Sequence, residues 1–529
     1  MKQNFFKYIF ILVIITLIGG AIYFIYSNQQ NRVEGAKEEN KTNEIQMIDN
    51  MRLGVSGYDT MNPLISNNKA ILEISKLLFE PLLTITQDYK VELDLAKEWS
   101  KTSDTTYIIK LKEDLKWQDG SKITAEDVRF TIDRLKENKS VYSYNVAQVV
   151  GVESLDNVTI KITLQKEVPF FEYNLTFPIM SKEYYSGEDF FTSTKIPVVS
   201  GKYRIESIDE KNVILVPNQN WWKKEQETLK LNKIIINRYE SVGEMYKNFK
   251  IGNIDLIASN NPNLEEYIGT IGFNTKQYLG RQQDFLAINC ENAILSKVEV
   301  RQAIKQSIDK TNIVASVYRS NYEVSDFPLD YGSYTYTKVE DKFKYDATAA
   351  NKTLTDNGWE YKNKVWQKKE NYKTLKLDFD LIVQSSNENR VRVAEIIKSQ
   401  LEQVGIKITI KKVNDSQYQK YLENKNYELI LTGNYNSLSP DLTTYFGEEN
   451  LANYQNESSR GLVKELNNLT DEKLIKEKIQ KLNEIYQEQV PYISLYRAKE
   501  TVAYSQKLMG DMKPNFYSLF YNISGWYRQ

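Results

Sequence analysis

Histidine is missing altogether from these 529 residues. That removes the Ser-His-Asp and Cys-His triads, and every His-ligated zinc, nickel or haem iron. Cysteine is nearly absent as well. Cys290 stands alone, so no intramolecular disulfide or thiolate cluster can form, and its thiol reads as a small packed side chain before a reactive one. A surplus of one charge is also lacking: 69 basic and 70 acidic residues give a formal charge of −1. Such balance leaves no basic footprint for nucleic acid and gives no reason to expect a charged macromolecular partner. There is no nucleophile elbow, phosphate loop, metal-ligand spacing or internal repeat. No cofactor is expected. If the chain is an enzyme, a hydrolase built on a carboxylate pair is the most plausible class, because two carboxylates suffice without histidine.

What is present is a large chain of mixed character. With 41% hydrophobic and 26% charged residues it can bury an extensive core, and its length predicts two or three domains. The abundance of Lys, Asn, Ile and Tyr reads as the bias of an AT-rich bacterial genome. Residues 8–26 carry no charge and are long enough, at ~1.5 Å per residue, to cross most of a bilayer core. Lys2 and Lys7 precede them, which places the amino terminus inside and the bulk of the chain on the extracellular side. The expectation is an uncleaved signal anchor in a Gram-positive cell membrane, with Gly19-Gly20-Ala21 leaving cleavage open. No cysteine follows the apolar run, so a lipoprotein anchor is excluded. Residues 27–47 are polar and aperiodic, the composition of a flexible tether.

Beyond the tether, strand and helix patterns alternate. Asp119-Gly120 is a turn pair ending a strand that arrives through Tyr107, Ile108 and Ile109. Thr124 is placed to cap a helix, Glu126 and Asp127 face its positive end, and Val128, Ile132 and Leu135 form its apolar stripe. Further strands are expected over 159–164, 212–216 and 234–238. A single helix is expected over 298–318, following a strand at 285–289, with Arg301, Lys305 and Lys310 left in water. Asp346 is placed to cap another helix that Gly358 ends. The clearest unit begins at Asn387, which can cap a helix with Val391, Ala394, Ile397, Leu401 and Val404 inward and Gly405 at its end. Ile406, Ile408 and Ile410 then alternate with polar residues, a short helix spans 416–422, and an apolar strand spans 427–431. This order predicts an α/β lobe with parallel pairing. Ligands of such sheets bind beyond the carboxyl ends of strands, which singles out the segment 432–440. A plain surface loop is the alternative there.

The spacing of Trp117, Asp119, Gly120, Ala125, Asp127 and Val128 resembles a signature of the family 5 extracellular solute-binding proteins, the peptide receptors of ABC importers. The resemblance continues in order. Leu78-Phe79-Glu80-Pro81-Leu82 looks like the family's helix end, and Leu95-Ala96-Lys97-Glu98-Trp99 like its Leu-Ala-x-x-Trp. Ser200-Gly201-Lys202-Tyr203 followed by Asn220-Trp221-Trp222, and Val300-Arg301-Gln302-Ala303-Ile304 with Ile308-Asp309-Lys310, also match. So do Gln400-Leu401 with Gly405-Ile406, and Val490-Pro491-Tyr492-Ile493. The resemblance implies a two-lobed, periplasmic-binding-protein-like fold of the Venus-flytrap type (type II) with an extra small domain. By that likeness 48–80, 183–277 and 491–529 form lobe I, 81–182 the extra domain and 278–490 lobe II, hinged near 276–281 and 493–497. The implied activity is delivery of a peptide or peptide-like solute to ABC permease and ATPase subunits, by a monomer that performs no chemistry. A surface sensor on the same fold and the carboxylate-dependent hydrolase are the alternatives.

The same resemblance proposes ligand contacts. Peptide-binding members carry Gly-Trp-x-x-Asp after the strand that matches 427–431, the aspartate pairing with the ligand's amino terminus. Here Asn434 stands in place of the tryptophan and Ser437 in place of the aspartate, with Tyr435 and Asn436 between them. Asp441, just past Pro440, is a substitute carboxylate if the loop folds back. An uncompensated buried ammonium costs several kcal/mol, so this departure puts the ligand's terminus in question. Further candidates are Gln283, Asp284 and Asn289 on the entering strand, Tyr496 and Arg497 on the return, and Asn67 and Asn68 after the first strand. Hinge packing is the alternative role for each. Nickel and haem receptors occur in the same family; without histidine such a metal would have to arrive inside an organic chelate.

Overall fold

Two long strands, Phe273–Ile288 and Tyr492–Ser505, run antiparallel through the middle of the molecule and pair with each other. This computed structural model describes residues 50–137, 139–259, 261, 264–319 and 321–529. The apolar segment 8–26 and the tether 27–47 lie outside the described residues. Among the described residues no helix is long and apolar enough to cross a membrane.

An eleven-stranded sheet is built around the two crossing strands. On one side Tyr492–Ser505 pairs with Leu256–Ser259, and Asn50–Ser56, Lys233–Tyr239, Asn212–Pro217 and Tyr203–Ile208 follow outward. On the other, Phe273–Ile288 pairs with Leu429–Tyr435, followed by Asp378–Gln384 and Lys407–Val413. Tyr322–Val324 joins Tyr492–Ser505 separately. In Asn50–Ser56 the buried residues are Met51, Leu53 and Val55, the two-residue period of a strand with one covered face. Asp378–Gln384 lies parallel to both Lys407–Val413 and Leu429–Tyr435, as the helix–strand alternation predicts. That strand itself was not among those read from the sequence.

The fold is two-lobed, and apolar burial among the described residues gathers into four clusters. Met51, Ile71, Trp117, Ile162 and Ile236 belong to one cluster. In the other lobe the sheet is covered on both faces: Leu286, Leu381 and Leu431 point to one cluster, and Phe285, Ile382 and Ile430 to another. The helix Glu388–Val404 covers the first of these faces with Val393, Ala394, Ile397 and Leu401. Asn387 caps it, accepting from the Arg390 N–H at 3.0 Å, and Gly405 ends it at φ +90°. A separate antiparallel sheet takes Ala96–Ser103, Thr106–Leu111, Thr159–Leu164 and Val149–Ser154 in that order. The helix Ala125–Glu137 packs on it with Val128, Ile132 and Leu135 buried, after the expected turn at Gly120, φ +91°.

Four local expectations need correction. The start of Ala125–Glu137 is held by Asp127, whose buried carboxylate accepts from the Thr124 N–H at 2.8 Å and the Lys182 N–H at 2.8 Å. The stretch 298–318 is two helices, Val298–Gln306 and Lys310–Val317, because Asp309 starts a new one by accepting from the Asn312 N–H. Arg301 and Lys305 are not in water: Arg301 donates to the carbonyls of Gln489, Leu295 and Ser296, and Lys305 to Asp341 and Gln487. Lys310 likewise turns inward to Ser325 O and Asp326. Finally, the apolar strand expected over 427–431 begins at Leu429 and continues through Tyr435, so residues 432–435 are ladder and not loop.

Candidate functional site

The crossing strands form one wall of a cavity of about 1740 Å³. Gly280, Arg281 and Gln282 come from one strand, Ala498 and Glu500 from the other. Residues 68–81 and 516–525 contribute on one side, and 434–439 with 441–445 face in from the other lobe. Asn434, Tyr435, Asn436, Ser437, Asp441 and Asn68 therefore share one cavity.

Their freedom differs. Tyr435 is exposed, its hydroxyl 3.4 Å from Gln282 Oε1. Ser437 shares a hydrogen bond of 2.7 Å with the Ser439 hydroxyl. Asp441 accepts from the Thr443 N–H at 2.8 Å, just ahead of the short helix Thr443–Phe446. Asn436 is buried and fully engaged: its amide donates to Gln283 Oε1 at 3.0 Å and Pro328 O at 2.8 Å, and its Oδ1 lies 2.7 Å from the Tyr445 hydroxyl. That hydroxyl is also 3.2 Å from Asn434 Oδ1. Asn68 caps the helix Lys69–Leu78 and donates to the carbonyls of Ser56 and Gly57.

Gln283, Asp284, Asn289, Tyr496, Arg497 and Asn67 lie off this cavity. Gln283 is wholly buried and donates to Ser325 and Ser494. Arg497, 1% exposed, donates to Asp330 at 2.8 Å and to the carbonyls of Phe327 and Pro328. Its donors are taken up by the protein. Asp284 holds Arg390 through two bonds of 2.8 Å and accepts from the Tyr496 hydroxyl at 3.1 Å. Gly433 exists for this pair, since a Cβ there would stand 2.1 Å from Asp284 Oδ1. Asn289 donates to Tyr427 O, and Asn67 donates its backbone N–H to Asp59.

A charged group lining the cavity was not legible beforehand. Glu80, Asp94, Lys202, Lys223 and Glu227 all line it. Glu80 accepts from Trp221 Nε1 at 2.7 Å and Asp94 from Trp222 Nε1 at 3.0 Å, which joins two distant sequence motifs. Burial, then the charge of Asp94, lifts the Glu80 carboxyl to about 8. Gly201 must lack a side chain because a Cβ would sit 2.6 Å from the Leu78 carbonyl carbon. Among the described residues no group of three or more Cys, Asp or Glu side chains could hold a metal ion.

The profile of the bacterial extracellular solute-binding proteins, family 5 (Middle), matches residues 90–451. The chain belongs to this family. It is similar to the oligopeptide-binding protein AppA of Bacillus subtilis, 23% identical over 90% of this chain and 91% of the relative. It is similar also to heme-binding protein A of Haemophilus influenzae, 24% identical over 82% and 84%. Among solved structures, the murein tripeptide binding protein MppA in its unliganded open form superposes with a TM-score of 0.78 at 17% identity, covering 91% of this chain and 97% of that one. Family 5 proteins are solute-binding proteins of ABC importers that bind peptides, heme or nickel and deliver them to permease and ATPase subunits; they are not enzymes. The carboxylate-dependent hydrolase is thereby set aside.

Proposed function

We propose that this chain is a membrane-tethered extracellular receptor that captures a peptide or peptide-like solute and passes it, unchanged, to an ABC permease. The observation that carries the reading is the cavity. At about 1740 Å³ it exceeds the roughly 300–1,000 Å³ usual for a small-molecule pocket, and suits an extended chain. It receives residues from both lobes, so a ligand favours the closed state, where both lobes touch it. In this reading 48–80, 183–277 and 491–529 form lobe I, 278–490 lobe II and 81–182 the extra domain. Asn434, Tyr435, Ser437 and Asp441 contact the ligand from lobe II, while Gln283, Asp284 and Arg497 hold the hinge wall rigid. The similarity to an oligopeptide receptor over most of both chains supports a peptide.

Thermal unfolding with defined ligands tests it. A mixture of free di- to nonapeptides is expected to raise Tm, since a ligand at about 100 times its Kd adds about 2.7 kcal/mol. A rise with nickel chloride or haemin and none with peptides would replace the peptide assignment.

A further inference from the structure

The cavity wall holds two opposite charges that the described residues leave without an ionic partner. Arg281 sits where the pairing of the crossing strands is interrupted: Leu279 pairs with Lys499 and Gln283 with Arg497, so Gly280, Arg281 and Gln282 stand opposite Ala498 alone. Such bulges re-aim side chains. Its guanidinium lies over the Phe516 ring at 4.3 Å and donates through Nη1 to Asn436 O at 3.2 Å. Its Nε is shut from solvent with no acceptor, and among the described residues no carboxylate meets it. Of the other buried arginines, Arg390 meets Asp284 and Arg497 meets Asp330, while Arg301 donates to three backbone carbonyls.

Glu500 is the counterpart on the return strand, in register with Tyr278. Half-buried and lining the cavity, it makes no ion pair or side-chain hydrogen bond among the described residues. Lys69, exposed and also lining the cavity, is the cation among the described residues whose charge reaches it. Gly280 keeps a side chain away from this carboxylate, since a Cβ at 280 would stand 3.2 Å from Ala498 O and 4.0 Å from Glu500 Oε1. Burial pushes this carboxyl above its ordinary range and pulls the Arg281 guanidinium below its own, as isolated charges require. Ser437 carries no charge, and Asp441 already spends an oxygen on Thr443.

We infer that the cavity selects a solute carrying both an ammonium and a carboxylate, Glu500 taking the first and Arg281 the second. A peptide with two free termini is the simplest such solute. The inference rests on the peptide-receptor reading and deepens it, since each ligand terminus supplies the partner that one wall charge lacks.

Calorimetric titration of the full extracellular chain tests it. The probes are those peptides of the free di- to nonapeptide mixture that the wild type retains, each resynthesised in N-acetyl and C-amide forms. Acetylation and amidation are each expected to weaken wild-type binding about ten- to hundredfold, the worth of one charge-assisted bond. E500Q should weaken the free peptide equally yet leave the acetylated form unchanged, and R281Q should do the same for the amidated form. R281K should recover part of the loss. Wild-type binding indifferent to blocked termini overturns the inference while the peptide reading stands. Loss of the amino-terminal preference in D441N but not in E500Q overturns the assignment of Glu500. Retention of no peptide at all overturns both readings together.

Discussion

Glu80 shows how one residue links the sequence motif to the pH response. Its carboxyl titrates near 8 in the folded protein against 4.5 as an ordinary side chain. Between these values the folded state holds a proton that the unfolded chain has released. The stabilising contribution is therefore complete below about 4.5 and is lost as pH rises through about 8. E80Q cannot ionise but keeps an oxygen for Trp221, so its Tm should fall less than that of the wild type between pH about 5 and about 9. A parallel fall in both proteins would show that Glu80 does not carry the effect. Asp284 gives a second prediction. D284A strands a buried guanidinium, and urea unfolding should show a loss of about 3–5 kcal/mol, much of it recovered when Arg390 is made methionine as well. Neither role was legible beforehand, because Trp221 and Arg390 lie more than a hundred residues from the carboxylates they meet.

Individual elements were legible where periodicity and caps agreed. The helix Glu388–Val404 carries its cap, stripe and terminal glycine in the sequence itself, and N387A should destabilise by about 1 kcal/mol while leaving peptide affinity unchanged. A larger effect on binding than on stability would contradict a purely capping role. Reading failed where tertiary partners overruled composition. Arg301 and Lys305 stand at helical spacing among apolar residues and look solvated, yet carbonyls and carboxylates from residues 295–296, 341 and 487–489 draw them in. Gly433 and Asn434 have poor strand propensity, but the ladder to Gln283 and Asp284 holds them extended. The cavity contacts nearest the family loop were placed from the resemblance, whereas Arg281 and Glu500 gave no local signal. An isolated charge becomes informative only once its lack of a partner is known.

At the scale of the whole molecule, the ordered series of motifs made the family readable although no single motif was decisive. The expected consequence is closure on binding. Small-angle scattering should show a smaller radius of gyration with saturating peptide than without, and an unchanged radius despite tight binding would remove the flytrap mechanism. The interrupted pairing at Gly280–Gln282 bears on how such a movement is paid out along the backbone. A ribbon with every rung in place resists torsion evenly, but one with a missing rung gathers the strain at the gap. A side chain at that gap, by G280V for instance, would press on Ala498 O, stiffen the joint and slow ligand exchange. Stopped-flow release rates would register this as a change in tempo, and Gly280 would act as the molecule's metronome.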